Sequence, residues 1–320
     1  MSVIAKRPFH DEPAAFEYLE RTLWPDGPVC PHCGTIGRAT KLQGRKGDGK
    51  RQARLGLWKC NERECRKQFT VKVGTVFEHG RIPLHKMLQA VYLLCCSKKG
   101  CSSHQLHRIL QITYKSAWFL SHRIREAMRK GELAPMGGAG EIVEIDETFS
   151  GTLEGVSRSQ YRGGGASSFM NTVFALVTRG GEARTFHVES TTTAQLLPII
   201  RANISKEASF VMSDELLAYA RLGREGYSHQ TVTHSDGEYV RGIVHTNTVE
   251  GYFSIFKRGM KGVYQHCSEK HLHRYLAEFD FRYSQRIALG VDDIERTARA
   301  LRGIVGKRLT YRNPNVTAAE

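Results

Sequence analysis

No run of about 18 apolar residues occurs anywhere in the sequence, which leaves nothing to cross a bilayer as a helix. The first residues, MSVIAKRPFHDEP, lack the apolar stretch of a secretory signal. The chain is therefore expected to stay where it is made, in the cytoplasm and about the nucleoid, with no membrane partner. There is no long internal repeat and no extended low-complexity tract, which argues against a repeat array. Acidic charge is scarce: 32 Asp and Glu stand against 47 Lys and Arg, a net charge of +15. Such an imbalance points to a polyanionic partner, nucleic acid before an anionic membrane surface. The 320 residues, 40% of them hydrophobic, suffice for two or three domains with their own cores.

Eight cysteines are present, and four fall in pairs: Cys30 with Cys33, and Cys60 with Cys65. Without a secretory signal, disulfides are disfavoured and metal binding becomes the default. A CxxC paired with a Cx4C suits a tetrahedral thiolate site for structural Zn2+; the alternative is four unrelated thiols. His32 lies inside the first pair and is not needed as a ligand. Residues 38 to 72 hold twelve Lys or Arg against three acids, a basic loop suited to phosphate contacts or simply to solvent. KQFTVKVGTVFEHG after Cys65 alternates and turns like β-structure. With a short amphipathic helix in PAAFEYLERTLWP, this outlines a zinc ribbon over residues 1–80.

From Pro83 the apolar period becomes helical. LHKMLQAVYLLCC is apolar enough for a buried helix, and two further helical runs flank a break at QIT. Residues 81–133 therefore resemble a helix-turn-helix DNA-binding region, or a plain helical hairpin. The Gly- and Pro-rich GELAPMGGAGE marks a boundary. Beyond it EIVEIDETFSG alternates, with Val143, Ile145 and Phe149 on one face and Glu144 and Asp146 on the other. NTVFALVTRGGEARTFHVE reads as two strands around a Gly-Gly turn. TTTAQLLPIIRANI reads as a helix in which Pro198 lies in the first turn or makes a kink. ASFVMSDE reads as a buried parallel strand, followed by a polar loop with His229, His234 and His245, whose spacing matches no metal pattern. Three antiparallel strands, a crossover helix and a parallel strand predict a mixed α/β sheet with helices packed on it over residues 141–290. A C-terminal helix and tail occupy 291–320.

Such a fold can bring together Asp146 near the end of its first strand, Asp214 just after the FVM strand, and Glu250 in the first turns of a helix. Oxygen-only ligands favour Mg2+ or Mn2+, and two such ions roughly 4 Å apart can clamp the attacking and leaving oxygens of a phosphodiester. Asn247 and Glu250 share a helix face, and Lys257 follows seven residues after Glu250. Each acid also has a structural reading as a turn, cap or helix-dipole residue. Glu144, Glu147, Glu215, Asp236 and Glu238 are rivals.

The stretches IDETFSG, SDEL and HTNTVEGYFSIFKRGMKGVYQHCSEKHLHRYLAEFDFRY resemble the catalytic core of bacterial insertion-sequence transposases. The resemblance is to the subgroup with an N-terminal zinc ribbon and a ribonuclease H-like DDE domain. WKCNERECRKQFTVKVGTVFEHGRIPL resembles the second half of that ribbon, and the likeness runs from about residue 13 to 286. It implies Asp146 and Asp214 as the first two ligands of Mg2+ or Mn2+. Glu250 ranks first for the third, with Asn247 as second candidate or additional ligand. Lys257, Arg258 and Lys261 are expected to contact DNA. The implied reaction is phosphoryl transfer: hydrolysis at a terminal inverted repeat frees a 3′-OH, which then attacks target DNA. Two ends must be brought together, so a dimer or larger homo-oligomer is expected. Competing readings are a non-catalytic DNA-binding relative and a metal-dependent nuclease of the same fold. The segment VSRSQYRGGGASSFMN is Gly- and Ser-rich where relatives are more basic.

Overall fold

The computed structural model describes residues 2–42, 55–131, 133–156, 165, 169–208 and 210–310. Much of the basic loop and of the Gly- and Ser-rich segment lies outside these residues. The chain divides into two compact units: Met1–Ser97 with Cys101–Met128 and Asp293–Glu320, and Lys98–Gly100 with Arg129–Asp292.

The first unit opens with helix α1 (Glu12–Leu23), which carries Pro13 in its first turn and buries Ala15, Phe16 and Leu19 along one stripe. Three short strands, β1 (Ala39–Lys41), β2 (Trp58–Cys60) and β3 (Gln68–Phe69), form an antiparallel sheet. Helix α2 (Leu84–Cys96) is the buried helix its apolar run predicts, with Leu84, Leu88, Val91 and Leu94 out of solvent. Its first amides are capped from a distance, as Glu12 accepts from the Leu84 and His85 N–H at 2.7 and 3.0 Å. Helices α3 (Ser103–Leu110) and α4 (Tyr114–Met128) follow, separated by a left-handed Gln111.

The second unit is built on a five-stranded sheet. Its strands are β4 (Ile142–Thr152), β5 (Met170–Thr178), β6 (Ala183–Val188), β7 (Phe210–Ser213) and β8 (His229–Thr231), in the spatial order β6-β5-β4-β7-β8. The first three pair antiparallel, while β7 runs parallel to β4 and β8 parallel to β7. The crossover helix is α5 (Thr193–Asn203). Pro198 lies inside it, beyond the first turn, where it withholds one helical hydrogen bond. A two-stranded ribbon, β9 (Val240–Arg241) and β10 (Val244–His245), leads into α6 (Asn247–Gly259). A π-helical turn, Met260–Tyr264, then precedes α7 (Glu269–Ser284). The last helix, α8 (Asp293–Arg302), belongs to the first unit, where it packs mainly on α2.

Alternation along the strands divides the core in two. Val143, Ile145, Phe174 and Leu176 face α5 with Leu196 and Ile200. Val173, Ala175 and Val177 face Val249, Tyr252 and Phe256 of α6 and Leu276 and Phe279 of α7. Strand β5 is buried on both faces, which is why its sequence reads as a continuous apolar run. β8 was hidden in the polar loop because HQT is a three-residue edge strand with no apolar alternation. Among the described residues no helix is long and apolar enough to cross a membrane.

Candidate active site

Strand register explains how two distant aspartates meet. Asp146 lies opposite Ala175, on the sheet face that carries α6 and α7. On the other side of β4 the parallel register matches Glu144 with Met212. Two residues further along, Asp146 and Asp214 come abreast, the latter just past the end of β7. Asp146 accepts from the Glu147 amide at 2.8 Å and Asp214 from the Leu216 amide at 3.1 Å. One carboxylate oxygen from each of Asp146, Glu147 and Asp214 lies within 4.8 Å of the others. Glu147 accepts from the Tyr219 hydroxyl at 2.6 Å.

Burial and crowding of like charge set the titration of this group. The Asp146 carboxyl is pushed up to about 8, by burial first and then by Glu147, Asp214 and Glu250. Burial likewise raises Asp214 and Glu147. Oxygen ligands about 2.1 Å from a small divalent ion stand about 3 Å apart when adjacent and about 4.2 Å when opposite. The observed spread fits such an ion after small side-chain adjustments, and the ion would relieve the crowding.

Helix α6 is fixed to this centre by Glu144, two residues before Asp146 on the same face. Its side chain is fully buried. It accepts from the Thr248 and Val249 amides at 2.7 and 3.0 Å, from the Thr248 hydroxyl at 2.8 Å and from the Arg179 guanidinium at 2.5 Å. A carboxylate thus satisfies the orphan amides of a helix start and complements its dipole. Arg179 also donates to the Ile243 and His245 carbonyls, tying the β9–β10 ribbon to the same point. His245 Nδ1 lies 3.3 Å from Glu144 and 3.4 Å from the Asn247 amide.

Glu250 sits one turn into α6, exposed, and accepts from the Thr246 hydroxyl at 2.8 Å. Its charge is felt at Asp146, but its oxygens lie outside the trio of converging carboxylates. Asn247, Lys257, Arg258 and Lys261 are all exposed. Of the rival acids, Glu144 is the helix anchor. Glu215 holds the His234 and Ser235 amides at 2.5 and 3.0 Å. Glu238 pairs with Arg241 at 3.6 Å. Arg179 and Tyr219 escaped sequence reasoning, since nothing local marks residues that meet their partners 35 and 72 positions away. The one available signal was that Glu144 shares a strand face with Asp146.

In the first unit Cys30, Cys33, Cys60 and Cys65 converge. Cys30 and Cys65 sulfurs, like those of Cys33 and Cys60, are 3.7 Å apart. That is far beyond a disulfide bond and close to the edge, about 3.8 Å, of a tetrahedron with Zn–S bonds of about 2.3 Å. The Thr35 hydroxyl and amide hold the Cys33 thiol down to about 6, while burial pushes Cys30 up. The surrounding core is small, consisting mainly of Phe69, Trp24 and Trp58 packed edge to face. Among the described residues these four cysteines and the acidic trio are the groupings with metal-binding geometry, and no histidine cluster joins them.

A ribbon with four converging cysteine sulfurs, and a mixed sheet presenting carboxylates at the ends of adjacent strands, define a class. Residues 10–68 match the transposase zinc-ribbon domain and residues 138–284 the ISXO2-like transposase domain. The chain belongs to the insertion-sequence transposases of the DDE class that carry an N-terminal zinc ribbon, and its catalytic domain has the ribonuclease H-like fold. It is similar to the "Uncharacterized protein in transposable element ISH50" of Halobacterium salinarum. The two are 29% identical over 289 residues, covering 86% of this chain and 91% of that protein.

Proposed function

We propose that this transposase cuts the ends of its element and joins the freed 3′-OH to target DNA by in-line phosphoryl transfer at Asp146 and Asp214. The observation that carries this reading is the pairing of those two carboxylates by the parallel β4–β7 register, in a buried and like-charged setting whose crowding a cation would relieve. Mg2+ or Mn2+ bound there would supply charge stabilisation to the attacking and leaving oxygens of the phosphodiester. Asp146 and Asp214 would hold the ion. Glu250, whose charge is felt at Asp146, would complete the ligand set when DNA is engaged, with Asn247 as second candidate or additional ligand. Lys257, Arg258 and Lys261 lie further along the exposed side of α6 and the π-helical turn, and neutralise phosphates of the bound strand. The zinc ribbon and the α3–α4 pair bind the terminal repeat, with the exposed Thr113, Tyr114 and Lys115 at the start of α4 meeting the duplex. Two chains act together on two ends.

The test uses DNA carrying the inverted repeats that flank the gene. Asp146→Asn and Asp214→Asn should each abolish Mg2+-dependent cleavage and strand joining while repeat binding persists. Full cleavage by either variant overturns the assignment. Cleavage by the native chain without any joining would make it a nuclease of this fold.

A further inference from the structure

Glu147 is the unexpected member of the acidic trio. Strand alternation turns it toward Phe174, its cross-strand partner, on the α5 side of the sheet, away from the Asp146 side. Its carboxylate nevertheless reaches the same point as those of Asp146 and Asp214. What bends it there is Tyr219, a fully buried side chain whose ring stacks on Phe174 with centroids 6.3 Å apart and whose hydroxyl donates to Glu147 at 2.6 Å. Glu250, by contrast, is engaged with Thr246 on the exposed start of α6.

Placing a third carboxylate beside two others is unfavourable unless a cation compensates it. The Tyr219 hydroxyl is itself close enough to Asp146 and Asp214 to feel their charge, so its bond to Glu147 fixes that carboxylate beside both aspartates. We propose that Asp146, Glu147 and Asp214 form the cation site of the DNA-free protein, with Tyr219 as the positioning residue that aims Glu147 into it, and that Glu250 is not needed for this first binding event. The inference rests on the assignment of Asp146 and Asp214 made above. It divides the carboxylates by stage: Glu147 loads the cation, and Glu250 joins when DNA brings phosphate oxygens into the coordination sphere.

The experiment measures Mn2+ binding to the full, zinc-loaded chain without DNA, by the electron paramagnetic resonance signal of free Mn2+. Thermal melting of the zinc-loaded chain without added Mn2+ or Mg2+ is recorded alongside. Asp146→Asn should lose binding. Glu147→Gln, which keeps an acceptor for Tyr219, should weaken Mn2+ at least about tenfold, and Tyr219→Phe should weaken it in the same direction. Glu250→Gln should bind within about twofold of the native chain, well short of the loss expected for a ligand. Because Glu147→Gln removes a crowded charge, its melting temperature without added Mn2+ or Mg2+ should not fall. If Glu147→Gln and Tyr219→Phe bind Mn2+ normally while Asp146→Asn does not, Glu147 is no ligand and the proposal is overturned, with the function intact. If Glu250→Gln loses Mn2+ as Asp146→Asn does, the division by stage is overturned. Normal binding by Asp146→Asn would overturn the underlying site assignment itself. Should Glu147→Gln fail to fold, Tyr219→Phe decides.

Discussion

Removing the Glu144 carboxylate should both destabilise the catalytic unit and unseat α6. The side chain is fully buried and receives four hydrogen bonds, two from the first amides of α6, one from the Thr248 hydroxyl and one from Arg179. Glu144→Ala leaves a guanidinium that is only 20% exposed without its counter-charge, and breaking a buried pair in this way costs about 3–5 kcal/mol. The stranded Thr248 and Val249 amides add to that, at about 1–3 kcal/mol for a buried donor with no acceptor, though the terms overlap because water and small shifts relieve them together. A net loss of about 4 kcal/mol is expected for alanine. About 2 kcal/mol is expected for glutamine, which keeps one carbonyl acceptor. Against a typical stability of about 5–15 kcal/mol, the alanine variant should be marginal and the glutamine variant folded but impaired in cleavage. Urea unfolding of Glu144→Ala, Arg179→Ala and the double variant measures the coupling. The double variant should recover about 2 kcal/mol relative to the sum of the two. Additivity within about 0.5 kcal/mol, together with native cleavage by Glu144→Gln, would refute the idea that this carboxylate anchors the helix.

Two further outcomes follow from groups outside the acidic centre. Asp280 of α7, which accepts from the Thr185 amide and hydroxyl and from Tyr252, is pushed up to about 7 by burial. Raised above its ordinary 3.8, its contribution is fully present below pH about 4 and is lost as pH rises through about 7. Unfolding free energy should therefore fall between pH 5 and 8 by up to on the order of 3 kcal/mol more in the native chain than in Asp280→Asn, and equal profiles in denaturant titrations would refute this. Metal analysis should find about one zinc per chain, and Cys60→Ser should release it and increase proteolysis of the first 80 residues; a ribbon equally resistant without zinc would exclude a structural metal there.

The mixed sheet was legible because its strands obey simple rules. The alternation that set Val143 and Ile145 against Glu144 and Asp146 in the sequence is the division between the two cores. The Gly-Gly turn and the apolar FVM run marked β5, β6 and β7 in order. The cysteine spacing announced its own convergence, since four thiols have few other uses in such a pattern. What stayed hidden depends on long-range packing. Glu147 and Tyr219 meet on the α5 side of the sheet, and Arg179 reaches Glu144 from the end of β5, so neither pairing leaves a local period or spacing. α8 shows the same limit: its amphipathic pattern predicts a helix but carries no address for the unit it joins.

The anchoring of α6 on Glu144 makes strand β4 a ruler. The helix anchor Glu144 and Asp146 are two residues apart on one strand face, a spacing of about 6.7 Å that the backbone itself defines. Substitutions at Ile145, between them, can trade one apolar side chain for another. A single inserted residue there is different, because it turns either the anchor or the aspartate through to the opposite face of the sheet. As copies of the element drift, the coding stretch for these three residues should tolerate base changes that exchange apolar side chains, yet lose function at once to any in-frame gain of a codon.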